Sequence, residues 1–256
     1  MFRTVDDARA SRPRESGMPS RTVVLSERIA QLDWDRIATD LDRQGFATTG
    51  SLLAKAECGD LAALYPDETR FRSRVVMARH GFGSGEYQYF AAPLPETVAI
   101  LREALYPPLA GVANNWQAKL GGKPYPQRLV EYLKRCHAAG QCKPTPLLLK
   151  YQPGDYNCLH QDLYGELAFP LQAAVLLSAP DEDFTGGEFV LTEQRPRMQS
   201  RASVVALNRG EGVIFAVNQR PVDGTRGIYR VTMRHGVSML KSGQRFTLGV
   251  IFHDAK

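Results

Sequence analysis

From Leu147 onward the sequence is a series of short β-branched and aromatic runs, LLLKY, LQAAVLLS, GGEFVLT, SVVAL, GVIFAV, RVTMRHGVSML and RFTLGVIF, separated by Gly, Pro, Asn and Asp. Spacing of this kind predicts an all-β sandwich or barrel. The residues ahead of it read differently. After Ser26, an N-cap residue type, Ile29, Leu32, Ile37 and Leu41 recur at near-helical spacing and Gly45 is a natural stop, which predicts one helix or two short ones broken near Asp33. Further helices are expected over Leu52 to Tyr65, over Pro95 to Ala118 with an interruption at Pro107 and Pro108, and over Pro126 to Ala139. Between them, Arg70 to Phe90 alternates like a strand pair. The fold class is α+β, with N-terminal helices packed against one β-barrel.

No low-complexity linker divides the two halves, so residues 26–256 are expected to form a single domain. In it, 26–146 supply helical support and a β-ribbon, and 147–256 the β core. Residues 1–25 are rich in Arg, Ser, Asp and Pro without an apolar period, which predicts a disordered tail. The hydrophobic fraction of 43% over 256 residues suffices for a full core. Apolar runs such as Ala173 to Leu177 fall far short of the roughly 18 residues that cross a bilayer, and there is no apolar signal-peptide core, so no membrane association is expected and the cytoplasm is the expected compartment. Cys58, Cys136, Cys142 and Cys158 form no CxxC pair and read as free thiols, which argues against a zinc finger. Net charge is +5, yet residues 195–245 carry nine arginines and one lysine against Glu211 and Asp223. That stretch favours an anionic partner, or keeps a solvated sheet face from pairing at its edge.

The stretch YQPGDYNCLHQD, residues 151–162, sets His160 and Asp162 two apart behind a turn at Pro153 and Gly154. In extended chain both side chains reach one ion while Gln161 faces away; a helix would set them ~200° apart. Of the five histidines, His235 is the expected third ligand, because it lies in the β-rich half, whereas His137 belongs to a surface helix and His253 is near the C-terminus. Two histidines and a carboxylate on one face of an octahedron leave three adjacent positions open, the donor set of non-heme Fe(II) oxygenases. Arg245 lies ten residues beyond His235. If 235–240 and 245–251 form a hairpin, Arg245 pairs near residue 240 and its guanidinium meets the far carboxylate of a bound dicarboxylate, with Thr247 adding a hydroxyl on the same face.

These residues resemble the Fe(II)- and 2-oxoglutarate-dependent dioxygenases, whose motif is HxD, a distant His, and an Arg about ten residues further on. The match runs from Leu147 to Asp254. Tyr151, Pro153, Gly154, Leu159, His160, Gln161 and Asp162 are similar to the YxPGxxxxLHQD run of the AlkB-like nucleic-acid oxidative demethylases, and GGEFVL resembles a strand shared more widely, prolyl hydroxylases included. The resemblance implies a double-stranded β-helix (jelly-roll) and Fe(II) held by His160, Asp162 and His235. It also implies 2-oxoglutarate held by Arg245 and Tyr151, and dioxygen as cosubstrate. Oxidative decarboxylation to succinate and CO2 would accompany hydroxylation of a substrate C–H bond, which on an N-methylated base releases formaldehyde. The implied partner is alkylated nucleic acid, DNA in the first place, in a repair role; no obligate protein partner is implied.

The chain departs from the AlkB pattern at three positions: Ile251 stands where the family's second arginine meets the base, and Leu149 and Thr247 replace asparagines. A protein side chain or small metabolite as substrate, or a non-catalytic metal or 2-oxoglutarate sensor, are the alternative readings. Within RFRSRVVMARHGFGSGEYQYF, Arg70, Arg72 and Arg74 would share one strand face, and Tyr87 and Tyr89 one face of the return strand. Such a ribbon could contact phosphates and stack bases, and it equally suits a solvated hairpin.

Overall fold

The computed structural model describes residues 21–225 and 227–256. Helices α1 (Arg21–Ala30) and α2 (Trp34–Gln44) lead into strand β1 (Phe46–Ser51) and helix α3 (Lys55–Ala62). Strands β2 (Phe71–Val76), β3 (Gly83–Ser84) and β4 (Glu86–Phe90) follow, then helices α4 (Glu96–Leu120) and α5 (Leu129–Ala138). The remainder is β: β5 (Leu147–Tyr151), β6 (Tyr156–His160), β7 (Leu171–Leu176), β8 (Phe184–Gly186), β9 (Phe189–Gln194) and β10 (Arg201–Val205). It closes with β11 (Glu211–Ala216), β12 (Gln219–Gly224), β13 (Gly227–Val237), β14 (Leu240–Gly243) and β15 (Arg245–Val250).

Local chemistry accounts for the helix ends. Asp33 breaks the first helical run because its carboxylate accepts from the Arg36 amide at 3.0 Å, capping α2. Gly45 ends α2 in the left-handed region, at φ 80°. The first helix starts at Arg21, ahead of Ser26, so residues 21–25, expected as tail, are helical, and Leu25 is fully buried. The rest of the expected tail, 1–20, lies outside the described residues. A second correction concerns α4, which runs unbroken through Pro107 and Pro108. Each proline deprives a carbonyl four residues back of its donor, and the pairs concerned, Glu103 with Pro107 and Ala104 with Pro108, lie on the exposed to half-buried side of the helix and not in the core.

Two antiparallel sheets face each other. The larger has the order β1-β11-β7-β15-β5-β4-β2, and the smaller β10-β9-β13-β6-β3 with β12 beside β13; β14 and β8 form a separate pair. The division at residue 147 is therefore crossed, since β1, β2 and β4 extend the larger sheet and β3 the smaller. Nor do 235–240 and 245–251 form a hairpin: β13 lies in the smaller sheet, and β15 pairs β5 and β7 in the larger, so the chain changes sheets between His235 and Arg245.

The period of two along each strand sorts side chains between two cores. On β7, Leu171, Ala173 and Val175 face the helices in the main apolar cluster, and Ala174 and Leu176 face the space between the sheets. β15 follows the same rule, with Leu248 and Val250 toward the helices. No helix among the described residues is long and apolar enough to cross a membrane.

Candidate metal and cosubstrate centre

The space between the sheets contains a cavity of about 190 Å³ that brings together most of the residues singled out from the sequence. His160 and His235 are direct cross-strand partners on β6 and β13, with ring centroids 4.2 Å apart. Asp162 lies two residues past the end of β6, not within it, yet its carboxylate meets both rings: Oδ1 is 3.5 Å from His160 Nε2 and Oδ2 is 3.3 Å from His235 Nε2. The donor atoms of the three residues lie within 4.8 Å of one another. Gln161 turns away from the other two, its amide donating to Asn218 Oδ1 and the Met233 carbonyl.

These residues fit a metal. His160 Nδ1 lies 2.7 Å from the Cys158 carbonyl, which fixes the proton on Nδ1 and leaves the Nε2 lone pair directed at the shared space. Burial works against charge on His160, but the hydrogen bond and charge of Asp162 outweigh it and raise its pKa. On His235, burial and the neighbouring His160 prevail and lower it. Asp162 is buried, which alone would raise its pKa, yet the two histidines hold it well below the usual carboxylate range. A neutral buried imidazole and an ionised carboxylate are the protonation states that bind a divalent cation.

Two residues of this centre carry no signal in the metal motif. Gln172 Nε2 donates to Asp162 Oδ2 at 2.8 Å, and Tyr164 Oη donates to Oδ1 at 2.7 Å, so the protein grips both carboxylate oxygens. Gln172 was detectable as the one amide in the apolar run LQAAVLL; Tyr164 sits in the irregular segment after β6, where no periodicity exists to read.

Opposite the histidines, the larger sheet presents Tyr151 and Arg245 as direct cross-strand partners, with Thr247 two residues on. Arg245 is 2% exposed. Its guanidinium donates to Thr247 Oγ1 at 2.6 Å and lies 5.5 Å from the centre of the Tyr151 ring, while its Nε has no partner. No carboxylate of the protein pairs with it among the described residues. The Tyr151 hydroxyl accepts from Asn157 at 3.4 Å, and burial pushes its pKa up to about 12, so it is a neutral donor at physiological pH. A buried, permanently charged fork beside two hydroxyls fits one end of a dicarboxylate whose other end reaches the metal.

The expected ribbon is rearranged. Arg70 belongs to a 3-10 turn and pairs with Asp67. A register shift between Phe71 and Ser73 puts Arg72 and Arg74 on opposite faces. Arg72 lies 4.4 Å over the Tyr89 ring and donates to the Pro144 carbonyl, whereas Arg74 is held by Glu86 on the far side. Tyr87 lines the cavity; Tyr89 is buried, edge-on to Tyr87 and Tyr164.

Residues 85–255 match a family described as an oxygenase catalysing oxidative methylation of damaged DNA. The chain belongs to this family. With a His–Asp–His donor set and Arg245, which has no carboxylate partner among the described residues, in one cavity, it is an oxygenase of the Fe(II)- and 2-oxoglutarate-dependent class, taking dioxygen as its other cosubstrate. It is also similar to two uncharacterized proteins of Mycobacterium tuberculosis, from strains CDC 1551 / Oshkosh and H37Rv. Each is 52% identical over 167 residues, covering 65% of this chain and 72% of the relative. Among solved structures, a prolyl hydroxylase from Trichoplax adhaerens in complex with a hypoxia inducible factor peptide fragment superposes with a TM-score of 0.54 at 12% identity, over 92% of this chain and 94% of the other. A Pseudomonas putida prolyl-4-hydroxylase gives 0.50 at 14%, over 87% and 100%. These likenesses show the fold, a jelly-roll.

Proposed function

We propose that this oxygenase removes alkyl groups oxidatively from damaged DNA. The family match over residues 85–255 carries the reading, and the cavity is reachable from outside: the His160 side chain is 33% exposed, and the exposed Phe82 and Leu163 line the same cavity. His160, Asp162 and His235 would hold Fe(II), and Arg245, Tyr151 and Thr247 the 2-oxoglutarate. Bound together with dioxygen, these supply the oxidising equivalent that places a hydroxyl on a substrate C–H bond and yields succinate and CO2. On an N-methyl group the hydroxymethyl product expels formaldehyde, so insertion of oxygen reads out as demethylation. Tyr164 and Gln172 would hold the Asp162 carboxylate in place, and the apolar walls from Leu149, Ala174, Phe189 and Phe215 exclude water.

One observation favours a second reading, hydroxylation of a protein side chain or small metabolite. Ile251 is fully buried beside Tyr89 and Leu147, so nothing at that position can recognise a base.

Mass spectrometry of a methylated oligonucleotide pool incubated with Fe(II), 2-oxoglutarate and the protein tests the two together. The expected outcome is formaldehyde and the unmethylated base, lost in both His160→Ala and Asp162→Ala. Robust 2-oxoglutarate turnover with no loss of methyl from any DNA or RNA would sink the first reading in favour of the second. Full turnover in either variant would sink the metal assignment.

A further inference from the structure

The metal cavity does not end at its mouth. Leu163, 46% exposed, also lines a second depression of about 400 Å³ bordered by Gln117, Asn218, Gln219 and Arg230. Leu163 is the residue common to both linings. Gln161 lines the metal cavity and donates to Asn218, which lines the depression, so a hydrogen bond as well as the Leu163 ridge joins the two spaces.

The charges around it select the occupant. Four of the nine arginines in the basic stretch are held in ion pairs: Arg195, Arg201 and Arg220 converge on Glu193, and Arg209 is held by Glu182 and Asp183. Arg230 is exposed, lines the depression, and has no ion-pair partner among the described residues. The nearest acid on the neighbouring strand, Asp223, is taken up by Lys119 from the last turn of α4. The depression therefore presents amides and one open cation, reached from the metal across an apolar ridge.

We infer that this depression receives the nucleotide flanking the target base on the same strand, with its phosphate on Arg230 and its sugar over Leu163. The inference rests on the nucleic-acid reading above. A nucleic-acid strand is the polymer that repeats an anion next to each reactive group, and an exposed arginine contributes a salt-dependent, sequence-independent contact of that kind. It makes this oxygenase a reader of strand continuity as well as of the modified base.

The test compares an N-methylated nucleoside with a single-stranded oligonucleotide of about ten residues carrying the same base, in the Fe(II)- and 2-oxoglutarate-loaded protein. In Arg230→Ala the ratio of oligonucleotide KM to nucleoside KM is expected to rise about fivefold, with the slope of log KM against log salt falling by about one. Arg230→Glu should raise the ratio further and Arg230→Lys should restore most of it. Wild-type ratios and slopes in both Arg230→Ala and Arg230→Glu would overturn the subsite while leaving the demethylase reading intact. Wild-type protein that releases formaldehyde from neither substrate removes the nucleic-acid reading, and the subsite with it.

Discussion

Arg102 and Arg245 are buried to nearly the same degree, 4% and 2% exposed, and live in opposite electrostatic circumstances. Arg102, on α4, donates to the Ile251 carbonyl and forms an ion pair with Asp254 at 2.7 Å. Its desolvation is offset within the fold. Arg245 has one hydroxyl partner and an idle Nε, on the wall of an open cavity. Desolvating a charge without a counter-charge costs several kcal/mol, so a protein keeps such a group where a ligand supplies what the chain does not. On the proposed function, one arginine would serve stability and the other binding.

Substitution should separate the two roles. Arg102→Met strands Asp254 without its strongest partner and is expected to cost about 3 to 5 kcal/mol in denaturant unfolding, whereas Arg245→Met should be neutral or stabilising. A comparable loss in both variants would erase the distinction. The Arg102 region also titrates. Burial first, and then the charge of Arg102, hold the His253 pKa down to about 4 from an ordinary 6.5. Its Nδ1 accepts from the Phe169 amide, as a neutral ring must. A histidine whose folded pKa is depressed gives full stability above pH 6.5, and that stability is lost as pH falls from 6.5 to about 4. The expected loss is roughly 3 kcal/mol, and His253→Gln should flatten it in a pH series of unfolding curves. On the binding side, Arg245→Met should raise the KM for 2-oxoglutarate roughly 30-fold, the loss of one charged contact of about 2 kcal/mol. An unchanged KM would remove Arg245 from the cosubstrate site.

The sequence was most readable where a period of two or a fixed motif carries the information. All seven apolar runs after Leu147 coincide with strands, and the HxD pair, His235 and Arg245 come together in one cavity. Legibility failed where solvent or distant pairing decides. The prolines in α4 lie on its exposed to half-buried side, outside the core, which local spacing does not reveal. The ten residues from His235 to Arg245 look like a hairpin, but β14 is claimed by β8 and β15 by β5 and β7, partners remote in sequence. Arg72 and Arg74 part company at a register shift that no alternation rule anticipates.

The change of sheet between β13 and β15 has a mechanical meaning. His160, Asp162 and His235 stand on the smaller sheet and its margin and the Arg245 guanidinium on the larger, so a cosubstrate held as proposed at both ends would be a removable crosslink between two layers. Its binding free energy is then partly the free energy of holding those layers in register. By mass action the seam tightens as cosubstrate rises, gaining about 2.7 kcal/mol at a hundredfold excess over its Kd. Decarboxylation of that molecule to succinate would shorten the link, so each catalytic cycle would release the clasp it began with.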